Sequence, residues 1–154
     1  MKINLFFLGK TKEKYLASGI KDYFERLRRY TTVSITILKE KKRACDDNQI
    51  VLEEGKQLLS KIEKKAFVVA LDPTGSALTS EQLAEKIELW ENQAYPIIIF
   101  LIGGPTGLSD EVQERADFIL SLSQMTFTHE MARFILLEQL YRAFSIKAGS
   151  KYHK

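Results

Sequence analysis

Three stretches in the last third of this 154-residue chain hold residue types that could do chemistry. The apolar run Ile97 to Ile102 passes straight into Gly103-Gly104-Pro105-Thr106-Gly107. A second apolar run, Ile119 to Leu122, breaks into the polar turn Ser123-Gln124-Met125-Thr126. A helix follows with His129, Arg133 and Arg142 at its start, middle and end, and the sequence finishes Tyr152-His153-Lys154. Glycine- and serine-bearing strand ends this close together point to one small-molecule pocket built largely from backbone, to which a basic helix and a short tail could bring a second substrate.

What the glycines lack narrows the ligand. No Gly-Lys-Ser/Thr follows them, so there is no phosphate-cradling P-loop, and the G-x-G-x-x-G spacing of a dinucleotide fingerprint is missing. Glycines without a phosphate-binding lysine suit a ligand whose purine edge meets backbone N–H and C=O groups in a narrow apolar slot. Taken alone, the same residues would serve equally as a plain strand-to-helix turn. Cys45 is the sole cysteine, which excludes an internal disulfide and a cysteine-rich metal site. Beside Asp46 and Asp47 it lacks the electropositive surroundings of a reactive thiolate.

Loops of this kind need parallel strands to present them. Ile3 to Leu8 reads as a strand, and Glu13 to Arg29 as a helix with Tyr15, Leu16, Ile20, Tyr23, Phe24 and Leu27 on one stripe. Val33 to Leu38 is a second strand, followed by the basic run Lys39 to Arg43 and a helix over roughly 48–64. Ala66 to Leu71 is a third strand ended by the turn Asp72-Pro73-Thr74-Gly75. Thr79, three residues before Gln82, marks a capping box opening a helix that reaches about Asn92. Ile97 to Ile102 has the wholly apolar character of a strand covered on both faces, and Phe118 to Leu122 resembles it. Helices over roughly 109–116 and 129–147 complete the pattern. Strands alternating with helices predict an α/β fold: a mostly parallel sheet flanked by helices, with ligands beyond the carboxyl ends of the strands.

Composition bounds the rest. A length of 154 residues suits one domain, and 45% apolar with 28% charged residues is the balance of a folded globular chain. A net charge of +3 is too small for a global field, so any nucleic-acid contact must come from local clusters of cations. No run approaches the roughly 20 apolar residues of a membrane span, and the short run after Lys2 is no signal peptide, which makes the cytoplasm the expected location.

The quoted segments also occur in a telling order. Ala70-Leu71-Asp72 with Gly75, Ile102-Gly103-Gly104-Pro105-x-Gly107-Leu108-Ser109, Leu120-Ser121-Leu122-Ser123, His129 with Arg133, Glu138-Gln139-Leu140-Tyr141-Arg142-Ala143 and Tyr152-His153-Lys154 follow one another at set spacings. With Leu8-Gly9-Lys10 and Tyr15 near the start, the set closely resembles the RlmH (YbeA-like) family of SPOUT-class ribosomal RNA methyltransferases, over essentially the whole chain. The resemblance implies a single SPOUT domain over residues 1–154, its carboxy-terminal part threaded into a trefoil knot, a rare exception to the rule against knotted chains. It implies S-adenosylmethionine bent in the knot against Leu71, Gly103 and the turn Leu122-Ser123-Gln124-Met125-Thr126-Phe127, with Gly107 letting the loop pass close to the ligand. It implies a homodimer with the active site between subunits, no metal, and methylation of N3 of a pseudouridine in 23S ribosomal RNA within the large subunit or the assembled ribosome. Thr128 departs from the family pattern, where proline would precede the histidine, and this predicts a looser loop.

For that reaction N3 must approach the sulfonium methyl in line and lose a weakly acidic imide proton. His129 and His153 are the only histidines, and an unperturbed pKa of about 6.5 leaves such a side chain largely neutral and basic at cellular pH. His129 is either that base or a helix-start residue bonded to backbone. By the resemblance the tail closes over the pocket, which gives Tyr152 and His153 a catalytic place that a frayed terminus would not have. Arg142 could steady charge on the base oxygens, with Glu138 one turn away to orient it, or simply sit where a helix carboxyl end welcomes a cation. Arg133 and Lys10 are the candidates for RNA backbone contact. Arg26, Arg28, Arg29 and Lys39 to Arg43 form either a solvated face or further phosphate contacts, and Trp90 belongs to packing. Two other readings stay open: a ribosome-associated protein that keeps fold and cofactor without catalysis, and an α/β enzyme for a different nucleotide.

Overall fold

The computed structural model describes residues 1–41 and 46–150, so Cys45 and the tail residues Tyr152 and His153 lie outside the described residues. Its elements run β1 (Lys2–Leu8), α1 (Lys14–Leu27), β2 (Thr32–Leu38), α2 (Asp47–Lys61), β3 (Phe67–Ala77), α3 (Ser80–Asn92), β4 (Ile97–Ile102), α4 (Asp110–Arg115), β5 (Phe118–Ser121) and α5 (His129–Lys147).

Side chains alternate across a strand, and here both sides are apolar. In β1, Ile3, Leu5 and Phe7 enter one buried cluster while Phe6 and Leu8 enter another. In β4, Ile98, Phe100 and Ile102 share the first cluster, and Ile97, Ile99 and Leu101 the second. Neither strand can therefore sit at an edge. They pair in the sheet interior, Ile3 opposite Ile98, in the order β2-β1-β4-β3-β5 with every pairing parallel. Helices α1, α3 and α5 supply the first cluster with Leu27, Ile87 and Leu140; α2 and α4 supply the second with Leu58 and Val112. Trp90 is a core residue, its ring against Phe67 and Phe118.

The third strand runs further than the sequence predicts. Asp72 Oδ1 accepts from Thr74 N at 2.9 Å, so the expected turn is present, but the strand resumes beyond it with Ser76 opposite Leu120. Gly75 permits the return: a Cβ there would stand 2.5 Å from the Ile119 carbonyl oxygen. The capping box is also present, Thr79 Oγ1 accepting from Gln82 N at 3.2 Å and Gln82 Oε1 from Thr79 N at 2.9 Å. Thr128 caps α5 by accepting from Met131 N at 3.2 Å.

Candidate cofactor site

The turn inside β3 and the loops that follow β4 and β5 enclose a cavity of about 770 Å³ whose far wall is the start of α1 and of α5. This is the volume of a site for a drug-sized molecule. Leu71 and Asp72 border it from within β3, where its pairing with β5 is interrupted, Gly103, Gly104 and Gly107 after β4, and Leu122, Ser123, Met125, Thr126 and Phe127 after β5. Of the residues expected to hold a cofactor, only Gln124 is not part of the wall; it is exposed. The turn it belongs to is pinned by Ser123 Oγ, which accepts from Met125 N at 3.0 Å.

The glycine loop folds back on itself, Gly107 N donating to Gly104 O at 3.0 Å. A Cβ on Gly103 would lie 2.7 Å from the Gly107 carbonyl carbon, so this position admits no side chain without displacing backbone. Gly107 is constrained by its backbone conformation. Space around it is open, and its φ of +83° is what excludes an ordinary residue.

The cavity wall holds three carboxylates, Glu13, Asp72 and Glu130, one histidine, and no lysine or arginine among the described residues. Glu130, in the first turn of α5, accepts from Glu13 N at 3.1 Å and also from Lys12 N. It thereby caps α1 from across the fold, a service that Glu13 at the N-cap does not perform with its own side chain. Burial opposes the charge on Glu130, but the two backbone N–H donors, with His129 and Arg133, outweigh it and hold the carboxyl below its ordinary range. His129, half-buried on the rim, is held below the usual histidine value by burial first and the Arg133 cation second, with Glu130 and Glu40 opposing in part. The imidazole is thus kept in its neutral, proton-accepting form. Tyr15, expected on the buried stripe of α1, is 67% exposed and lies on the rim with Met125 and Phe127.

Arg133 requires a correction. Its side chain is 0% exposed, so it cannot reach a phosphate outside the protein. Nη2 donates to Leu8 O at 2.6 Å, Nη1 to Thr11 Oγ1 at 3.1 Å, and the guanidinium lies 4.7 Å from the Phe7 ring centroid. It fastens α5 to the end of β1. Arg142 bonds Glu138 through Nε and Nη2, at 3.0 and 2.6 Å, as its spacing predicts. It stands about 20 Å along the helix from His129 and takes no part in this chain's cavity wall. Lys10 is exposed at the end of β1, while Arg26 and Arg28 are paired with Asp22 and Glu25 on the solvated side of α1. No helix among the described residues is long and apolar enough to cross a membrane, and no group of three metal-ligating side chains occurs among them.

A parallel α/β sheet with helices on both faces, and a small-molecule cavity walled by the turn within β3 and the loops after β4 and β5, define the class, and the chain belongs to the SPOUT methyltransferase family: the family model described as "Predicted SPOUT methyltransferase" matches residues 1–153. The individual relatives are more specific. "Ribosomal RNA large subunit methyltransferase H" of Desulfotalea psychrophila is 49% identical over 156 residues, covering 100% of both chains. The protein of the same name from Halothermothrix orenii is 44% identical over 159 residues, again 100% of each. Among solved structures, the "probable methylase family protein" from Haemophilus influenzae Rd KW20 superposes with a TM-score of 0.53 at 13% identity, over 97% of this chain and 67% of that one, a likeness of fold.

Proposed function

We propose that this chain transfers a methyl group from S-adenosylmethionine to N3 of a pseudouridine in 23S ribosomal RNA, within the large subunit or assembled ribosome, as a cytoplasmic homodimer. The observation that carries the reading is the charge of the cavity: carboxylates and no lysine or arginine among the described residues of its wall, around a glycine loop. Such a wall repels the phosphates of ATP or a dinucleotide and favours a sulfonium cation. The full-length relatives, named for methylation of large-subunit ribosomal RNA, support the acceptor.

S-adenosylmethionine supplies, when bound, an electrophilic methyl on sulfur. The rest falls to the protein. Backbone groups of Leu71, Gly103 and the turn after β5 hold the adenine and orient the donor, in a carboxy-terminal segment that the family resemblance makes a trefoil knot. Met125 and Phe127 exclude water at the rim. His129, neutral at physiological pH, stands where it can take the imide proton; Tyr152 and His153 close the pocket, and Arg142 reaches the partner subunit's cavity to steady the charge on the base. Lys10 meets RNA phosphate.

Calorimetry on the intact chain with S-adenosylmethionine and with ATP tests the cofactor, and tight binding of ATP alone refutes it. Methyl incorporation into ribosomes from a strain lacking the activity tests the reaction. Deleting residues 151–154 abolishes incorporation on this reading; undiminished incorporation removes Tyr152 and His153 from the site. A fully active monomer by light scattering refutes the shared site.

A further inference from the structure

The glycine loop has two faces. One lines the cavity at Gly103 and Gly104. The other rests on α2, pressed so closely that a Cβ on Gly55 would stand 2.2 Å from Ser109 Oγ just beyond the loop. In that contact Glu54 is 2% exposed. Its Oε1 accepts from Lys41 N at 3.1 Å, but Oε2 has no hydrogen-bond partner among the described residues. That oxygen lies 3.3 Å from where a Cβ of Gly104 would be.

A buried carboxylate with an unmatched oxygen is costly, and it must have a use or a counter-charge. The other acids near the cavity are matched or wet: Glu130 by two backbone amides, Asp72 by Thr74, Glu13 by solvent. Among the described residues only Glu54 presents a buried carboxylate oxygen without a hydrogen-bond partner, one backbone thickness from the space a cofactor would fill. Burial pushes its carboxyl upward, and Glu40 adds to this, with the Lys41 N–H and the Lys41 charge opposing only in part, so a cation on the far side of the loop would relieve it further.

We propose that Glu54 is a specificity-determining residue which, acting through the thin backbone of Gly104, makes the cavity prefer a sulfonium cation to the neutral thioether left once the methyl has gone. The inference rests on the S-adenosylmethionine reading above. It gives the protein a means to release its product: the donor carries the charge that Glu54 attracts, and the spent cofactor does not. At a separation of about 8 Å and an effective dielectric of about 20, one such charge changes affinity for a cation by up to ~30-fold.

Titration calorimetry of the full chain with S-adenosylmethionine and with S-adenosylhomocysteine tests it, in wild type and Glu54→Gln. Glutamine keeps the shape and the bond from Lys41 while removing the charge. The expected result is a donor affinity lowered roughly tenfold, a product affinity unchanged within about twofold, and a melting temperature no lower than wild type. Glu54→Asp, which keeps the charge on a shorter arm, retains a preference for the sulfonium and serves as the test if the glutamine variant does not fold. An unchanged ratio in Glu54→Gln, or equal weakening of both ligands, overturns the proposal and leaves Glu54 as a support for the loop. Failure of wild type to bind either ligand instead overturns the cofactor assignment, and this inference with it.

Discussion

Arg133→Met distinguishes a structural fastening from an RNA contact. The buried guanidinium contributes a charge-assisted bond to Leu8 O at 2.6 Å, of about 1.5–3 kcal/mol, and a ring contact with Phe7 of about 1–2 kcal/mol. Against these stands the desolvation of the guanidinium, several kcal/mol on its own, which methionine does not incur. Methionine also fills most of the volume, so no large cavity forms. The carbonyl of Leu8 loses its donor, however, and the net expectation is a loss of about 2–3 kcal/mol. For a domain of this length each kcal/mol lowers the melting temperature by about 2–4 °C, so the fall is about 4–12 °C. Thermal melts paired with urea titrations at unchanged m-value measure it. Thr11 is released together with Leu8, and Glu13 and Tyr15 on the cavity wall follow, so cofactor affinity drops several-fold while the salt dependence of RNA binding stays the same. A melting temperature within about 1 °C of wild type, together with an RNA salt slope reduced by about one unit, would show that Arg133 meets phosphate and would refute the structural assignment.

Other perturbations address the loop, the histidine and the caps. Gly103→Ala forces a Cβ against the Gly107 carbonyl carbon at 2.7 Å, and calorimetry is expected to show at least a tenfold loss of cofactor affinity, about 1.4 kcal/mol; wild-type affinity would contradict the geometry. His129 has a folded value depressed below 6.5, so its contribution to stability is fully present above that pH and is lost as pH falls through the depressed value. Urea unfolding across that range should lose part of its acid slope in His129→Gln, and an identical slope would mean the imidazole is as free to protonate as in the unfolded chain. Thr79→Ala removes the side-chain acceptor of the α3 capping box, leaving only the bond from the backbone N–H of position 79 to Gln82 Oε1, and should lower stability by about 1 kcal/mol, read as a melting shift of about 2–4 °C.

Local pattern made most of the scaffold legible. Ile97 to Ile102 is buried on both sides because no polar residue interrupts it, and Thr79 with Gln82 marks a helix start through hydrogen bonds that span only one turn. The return of β3 at Ser76 escaped prediction because it depends on Ile119, more than forty positions away, leaving room only for glycine. At the site, Leu71, Gly103 and the turn after β5 carry visible signals. Glu13 and Glu130 carry none: they meet only because α1 and α5 are packed together. Arg133 misleads for a related reason, since an arginine one turn from a helix start reads as a surface cation until a carbonyl and a ring are found enclosing it. Gln124, between Ser123 and Met125 in the same turn, is exposed and outside the cavity wall, a difference between neighbours that sequence alone does not display.

Glu130 reaching Glu13, and Arg133 reaching Leu8, join positions 117 and 125 residues apart. During synthesis, therefore, the first helix has no cap and the first strand no fastener until almost the whole polypeptide has left the ribosome. An amino-terminal fragment owns part of the cavity floor but cannot shape it, so premature termination yields an inert product and never a half-active one. The amino-terminal segment acquires these partners only once residues 130 and 133 are available to it.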